Sequence, residues 1–254
     1  MIDKSQYIFG IRAVIESIDA GQDIDKILVK KEMSSDLAKE LLETARRYSI
    51  PVQRVPVERI NRVTRKNHQG VLALMAAVSY DRIDNIVPQL YEEGLNPLVV
   101  ILDGITDVRN FGAIARTCEC AGVNAIVIPD RNSVSANADA LKTSAGALNY
   151  LPVCREHNLA SAVKFLRNSG FKIIGSSGKS NINYTHADLT GPIAIVLGAE
   201  DTGISKEILS LCDTLVAIPE FGSINSLNVS VAGGIMIYEV VRQRLNDGQT
   251  AFNG

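Results

Sequence analysis

Five short runs in the second part of the chain most constrain its fold: LVVILD (98–103), AIVIP (125–129), FKIIGSS (171–177), IAIVLGAE (193–200) and TLVAIP (214–219). Each is continuously apolar rather than alternating and rich in Val and Ile, the pattern of strands covered on both faces. Helical patterns alternate with them over 112–121, 137–148, 159–169, 204–211 and 228–245. This alternation predicts a doubly wound α/β layer structure around a mostly parallel sheet. Ligands in such sheets sit beyond the carboxyl ends of the strands. There the sequence places Asp103-Gly104, Gly198-Ala199-Glu200 and Pro219-Glu220-Phe221-Gly222.

Residues 1–80 read as a separate, smaller α/β unit. IFGIRAVIESIDAG (8–21) has helical spacing and stops at Gly21, and DKILVKK (25–31) is strand-like. SSDLAKELLETARRYSI (34–50) is an amphipathic helix with Ser34 or Ser35 as its cap. PVQRVP (51–56) is a short strand and GVLALMAAV (70–78) a closing buried one. The polar stretch 81–97 ends in Asn-Pro and is expected to link this unit to a domain over 98–246, with 247–254 a disordered tail.

The totals narrow the class. Apolar residues make up 46% and charged residues 21% of the 254, which supports a substantial soluble core. No apolar run reaches the roughly 18 residues of a membrane span. The opening MIDKSQYIFGIRAV lacks the basic and apolar segments of an export signal, so a cytoplasmic location is expected. Cys118, Cys120, Cys154 and Cys212 form no CxxC pair, and the three histidines stand alone, so no metal site is expected. Charge is unevenly divided: residues 1–80 hold 13 Lys/Arg and 10 Asp/Glu, and the remainder 13 and 18. Within the first part, Arg54, Arg59, Arg62, Arg65 and Lys66 face one glutamate over 54–66, a run suited either to RNA phosphates or to a solvated helix face.

The usual nucleotide fingerprints fail. No GxGxxG follows the first strand, which argues against a dinucleotide enzyme. GSSGKS (175–180) suggests a phosphate loop, but the required first glycine is Ile173, so a solvent-facing turn is expected. Three other stretches carry more together than apart. In DVRNFGAIART (107–117), Asn110 stands two residues before Gly112, and Arg116 stands among small and apolar residues where burial would demand an anionic partner. In IVLGAEDTGIS (195–205) a buried strand runs into Gly198, where a ligand can approach the backbone, with Glu200 just beyond. In IPEFGSINSLNVSVAGG (218–234), Asn225, Ser226 and Asn228 exceed what one helix cap requires, and small residues behind them permit close packing.

In this order, NFGAIAR (110–116), LGAEDTG (197–203) and IPEFGSINSLNVSVA (218–232) resemble the three motifs of the SpoU (TrmH) family of RNA ribose 2′-O-methyltransferases, within the SPOUT superfamily. The leading unit, with IFGIRAV and NHQGVLA (67–73), looks like the L30e-like substrate-binding domain of many members. The layout is most similar to members that methylate a guanosine of 23S ribosomal RNA. The resemblance implies a C-terminal trefoil knot that holds S-adenosylmethionine, and a homodimer. It implies Arg116, Asn110, Glu200, Ser226 and Asn228 as the catalytic set. Gly198, Ala199, Ile218, Pro219 and Leu227 would hold the cofactor. Transfer RNA or another ribosomal site, or a non-catalytic RNA-binding module, are the other readings. Two positions depart from the family pattern: Val108 stands where Pro is common, and Glu220 where Met is common.

Overall fold

The computed structural model describes residues 7–224 and 226–248. The chain divides into two compact units: residues up to Ser79 together with Ser135–Ala138, and Tyr80–Val134 together with Asp139 onward.

The first unit runs β1 (Tyr7–Phe9), α1 (Ile11–Asp19), β2 (Ile24–Lys30), α2 (Asp36–Arg47), β3 (Val52–Val55), α3 (Val57–Asn61) and β4 (Val71–Met75). Its sheet has the order β1-β4-β2-β3, with β2 and β3 parallel and β4 antiparallel to both β1 and β2. Of the two cap candidates Ser35 is the one used: its side chain accepts from Ala38 N at 3.2 Å. Ile11, Val14, Ile15 and Ile18 of α1 pack with Leu41 and Ala45 of α2 against Ile27, Val29, Val71 and Ala73 of the sheet. The start of the expected first helix is instead strand β1, because Gly10, at φ 92°, breaks the helix there.

The second unit runs β5 (Tyr80–Asp81), α4 (Ile83–Glu92), β6 (Leu98–Asp103), α5 (Val108–Cys120), β7 (Ala125–Pro129), α6 (Ala138–Thr143), β8 (Val153–Glu156), α7 (Leu159–Asn168), β9 (Lys172–Ser176), β10 (Ile193–Gly198), α8 (Lys206–Leu209), β11 (Thr214–Val216) and α9 (Val229–Asn246). The seven strands are ordered β11-β9-β10-β6-β7-β8-β5, and every pairing is parallel. All carboxyl ends therefore lie along one edge. Central strands β6 and β10 are in register from Ile193–Leu98 to Gly198–Asp103, so the two loops that leave them start side by side.

One expectation is corrected and one strand is added. Residues 81–97 are not simply a linker: β5 extends the sheet, and Ile83 and Val87 of α4 are buried in its core. Strand β8 was not legible because VCRE breaks apolar continuity. Its Glu156 is nonetheless 4% exposed, accepting from Ile83 N at 2.8 Å and pairing with Arg82 at 3.2 Å. Burial pushes that carboxyl above the usual glutamate range.

Helix α9 crosses the layer from one sheet edge to the other. Gly233 admits the sheet closely, since a Cβ there would lie 2.8 Å from Leu197 Cδ1. Near its end, buried Arg244 donates to Pro97 O at 3.2 Å and Gly191 O at 2.7 Å. Asp247 and Gly248 follow the helix, while residues 249–254 of the expected tail and the candidate cap Asn225 lie outside the described residues. None of the described helices is long and apolar enough to cross a membrane.

Candidate active site

Helix α5 opens about one turn before the stretch the sequence suggested, at Val108 rather than 112. Asp107, not Asn110, caps it, accepting from Arg109 N at 2.6 Å and Asn110 N at 3.1 Å. Asn110 is thus held in the first turn with its amide free to reach outward. Asn228 is the cap of α9, its Oδ1 accepting from Ser230 N at 2.9 Å. Its remaining amide group is likewise available.

Both amides meet one carboxylate. Glu200 Oε1 accepts from Asn110 Nδ2 at 3.0 Å and from Asn228 Nδ2 at 2.6 Å, with Val229 N at 3.5 Å. Asn228 Nδ2 also lies 3.0 Å from Asn110 Oδ1. Residues from three distant stretches therefore close into a single polar knot at the sheet edge. Charge-assisted bonds of this kind are stronger than neutral ones and fix the loops that carry them.

Beside this cluster lies a cleft of about 360 Å³, a normal size for a small-molecule site. Four of the five expected cofactor residues line it: Gly198, Ala199, Ile218 and Leu227; Pro219 does not. Of the expected catalytic set, Glu200 and Ser226 line it, whereas Asn110 and Asn228 stand behind Glu200. Gly198 is obligatory: a Cβ there would lie 2.1 Å from Ile204 N and 2.2 Å from Gly203 C. The following turn folds straight back, with Gly203 N donating to Ala199 O at 2.8 Å.

Sequence reasoning missed one wall. Ser176, Ser177, Gly178 and Lys179, expected as a solvent-facing turn, line the cleft. The available signal was their place just after a strand of the parallel sheet, at the edge where ligands bind. The cleft's charged residues are Lys179, Glu200, Asp201 and Glu220, an excess of carboxylates that suits a cationic ligand.

Arg116 is not buried. It is exposed on α5 and, among the described residues, has no hydrogen bond or ion pair, so its guanidinium is free to take an anion. Arg59, Arg62, Arg65 and Lys66 of the first unit are also exposed; Lys66 sits 5.7 Å from the Phe9 ring centre, and Arg54 donates to Lys31 O at 2.9 Å. Among the described residues no group of side chains has metal-binding geometry.

Comparison with known proteins gives this geometry a family. The model of the SpoU rRNA Methylase family matches residues 97–238, and that of RNA 2′-O ribose methyltransferase substrate binding matches residues 7–81. A relative from Staphylococcus saprophyticus, provisionally described as a TrmH family tRNA/rRNA methyltransferase, is 37% identical over 96% of this chain and 98% of its own. A Staphylococcus aureus counterpart is 38% identical over 95% and 98%. Among solved structures, the SpoU methyltransferase AviRb from Streptomyces viridochromogenes, in complex with AdoMet, superposes with TM-score 0.60 at 25% identity, covering 94% of this chain and 90% of that one. The A. aeolicus TrmH/SpoU tRNA modifying enzyme gives 0.56 at 30% identity over 65% and 86%. The chain belongs to the SpoU family of RNA methyltransferases, enzymes whose methyl donor is S-adenosylmethionine.

Proposed function

We propose that the protein transfers a methyl group from S-adenosylmethionine to the 2′-hydroxyl of a guanosine ribose in 23S ribosomal RNA. The observation that carries this reading is the convergence of Asn110, Glu200 and Asn228 into one hydrogen-bonded cluster against a cleft lined by Ser226. A non-catalytic RNA-binding module has no need of that convergence.

The cleft fits the donor on its own chemistry. Gly198, Ala199, Ile218 and Leu227 offer backbone and apolar surface, and the carboxylates of Glu200, Asp201 and Glu220 outnumber Lys179 beside a cationic ligand. Pro219, outside the lining, shapes the turn that carries Ile218. When bound, S-adenosylmethionine supplies a methyl group on a positively charged sulfur, an electrophile that needs no further activation.

The protein's own part is to present a weak nucleophile. Arg116 acts by gripping a phosphate of the RNA and stabilising charge that develops on the ribose oxygen; a guanidinium offers five donors and no acceptor, which suits that role and not a base's. Glu200 has its Oε1 occupied by its two amide donors and acts by positioning Asn110 and Asn228. Ser226 hydrogen-bonds the ribose. The hydroxyl proton leaves to water as the methyl group exchanges its bond to sulfur for one to the ribose oxygen, leaving a neutral thioether.

Several broader features belong to the same reading. The reading carries with it a trefoil knot, in which the C-terminal part of the unit passes through a loop. The first unit is L30e-like and holds the RNA through Arg54, Arg59, Arg62, Arg65 and Lys66. Helix α9 is apolar even where exposed, at Val231, Tyr238 and Leu245, which supports a homodimer across that face. The reaction takes place in the cytoplasm. The name of the A. aeolicus neighbour favours transfer RNA as a second substrate reading.

The test is direct. The protein is incubated with labelled S-adenosylmethionine and with 23S ribosomal RNA or transfer RNA from a strain lacking the gene, and ribose methylation is mapped. A single 2′-O-methylguanosine in 23S RNA is expected. Methylation of transfer RNA alone moves the substrate, and no transfer to either RNA removes the reading.

A further inference from the structure

A second cleft, of about 290 Å³, opens on the same sheet edge. Its lining includes Asp103 and Gly104 after β6, Arg131 and Asn132 after β7, His157 after β8, and Ser205 and Glu207 at α8. It is separated from the donor cleft by one thickness of backbone: Ile204 lines the first and Ser205 the second. A Cβ on Gly104 would lie 3.6 Å from Ala199 Cβ, which lines the donor cleft. The two clefts are therefore near neighbours on one edge, close enough for adjacent nucleotides of one RNA to reach both.

The polar groups here divide into two kinds. Asp103 is committed, accepting from Ser205 N at 2.7 Å, and His157 Nδ1 lies 2.8 Å from Asp130 Oδ2. Arg131, Asn132 and Glu207 are exposed and, among the described residues, their side chains make no hydrogen bond or ion pair. One uncommitted guanidinium and one uncommitted carboxylate thus share a cleft without pairing with each other.

We infer that this cleft binds a guanine base of the RNA substrate, an inference that rests on the RNA methyltransferase reading above. A bare phosphate fits poorly, because Asp103 and Glu207 present negative charge beside Arg131. Guanine fits on both edges. Its O6 and N7 accept from a guanidinium in parallel, the commonest specific contact between arginine and a base. Its N1–H and 2-amino group lie side by side as donors to a carboxylate. Adenine offers no matching donor pair to Glu207, and its 6-amino group would face Arg131, donor against donor. Asn132, with both a donor and an acceptor, completes the rim.

The test uses the full-length protein and short fluorescein-labelled RNAs: alternating guanine–adenine, the same with inosine for guanine, and all adenine. The wild type is expected to bind the guanine-containing RNA about tenfold more tightly than the adenine RNA, the scale of one bidentate base contact. Inosine, which lacks the 2-amino group, should fall between them. Arg131→Ala, and separately Glu207→Gln, should abolish the guanine preference while S-adenosylhomocysteine affinity stays within about twofold by titration calorimetry. Arg131→Lys, which keeps the charge but not the fork, should also lose the preference. Equal binding of all three RNAs by the wild type, or variants that keep the preference, overturns the inference. A wild type that binds no S-adenosylhomocysteine overturns the methyltransferase reading instead.

Discussion

Gly198→Ala tests the tightest feature of the cleft proposed to hold the donor. The new Cβ would sit 2.1 Å from Ile204 N, 2.2 Å from Gly203 C and 2.6 Å from Gly203 O. Ordinary contacts need about 3.5 Å, so relief requires a shift of roughly 1.4 Å. The obstructing atoms are backbone, not the end of a side chain that can swing away. The segment that must move is pinned by Gly203 N to Ala199 O and by Ser205 N to Asp103, at 2.8 and 2.7 Å. Overpacking in a yielding core costs about 1–3 kcal/mol, and this one belongs at the upper end, near 3 kcal/mol. The chain has no tryptophan, so urea unfolding is followed by far-ultraviolet circular dichroism, with stability taken from the midpoint at constant slope. S-adenosylhomocysteine affinity should fall by at least about tenfold, because the displaced turn is a wall of the cleft. Gly222→Ala is the control: nothing lies within 4 Å of its Cβ, and the change should stay within about 0.5 kcal/mol. If Gly198→Ala matches that control in stability and affinity, the close packing argued for this turn is wrong.

Arg116→Ala should leave donor binding intact and lower turnover by at least about 100-fold, measured as methyl incorporation under single-turnover conditions. Asp188 accepts from Lys172 and from Thr190, which hold its carboxyl well below the usual range, at about 2. Its contribution to stability is therefore present above the ordinary aspartate value and lost as pH falls towards about 2, and Asp188→Asn should flatten that acid limb of the melting profile. Glu156 acts with the opposite sign: burial raises its folded value, so stability declines as pH rises through that raised value, and Glu156→Gln should remove the decline. Cys120 should react readily with iodoacetamide in the native protein, whereas Cys118 and Cys154, buried and raised far above the usual thiol range, should react only on unfolding, as mass spectrometry will report.

The sheet was legible because β6, β7 and β10 are covered on both faces and so written almost entirely in Val, Ile, Leu and Ala, and because short apolar runs still mark β9 and the half-buried edge strand β11. Strands β5 and β8 lie at the other end of the order, where Asp81, Arg155 and Glu156 find partners, and apolar continuity no longer marks them. The site was legible in composition but not in arrangement. Asn110, Glu200 and Asn228 were visible as polar residues in the wrong company; that one oxygen of Glu200 holds both amides follows only from the register of β6 with β10 and the placement of α9. Lys179 was overlooked because a comparison with phosphate loops asked about the wrong ligand, when position after a strand was the better guide.

The Glu200 cluster also dictates when the enzyme can exist. Its bonds join residues 90 and 28 positions apart in the chain, and a further one spans 118. All seven strands precede Asn228, so a nascent chain can hydrogen-bond its whole sheet while the pocket still lacks the last of its three anchors. Ligand recognition should therefore trail secondary structure during refolding, and a chain arrested before residue 228 would be folded in outline yet unable to bind its donor.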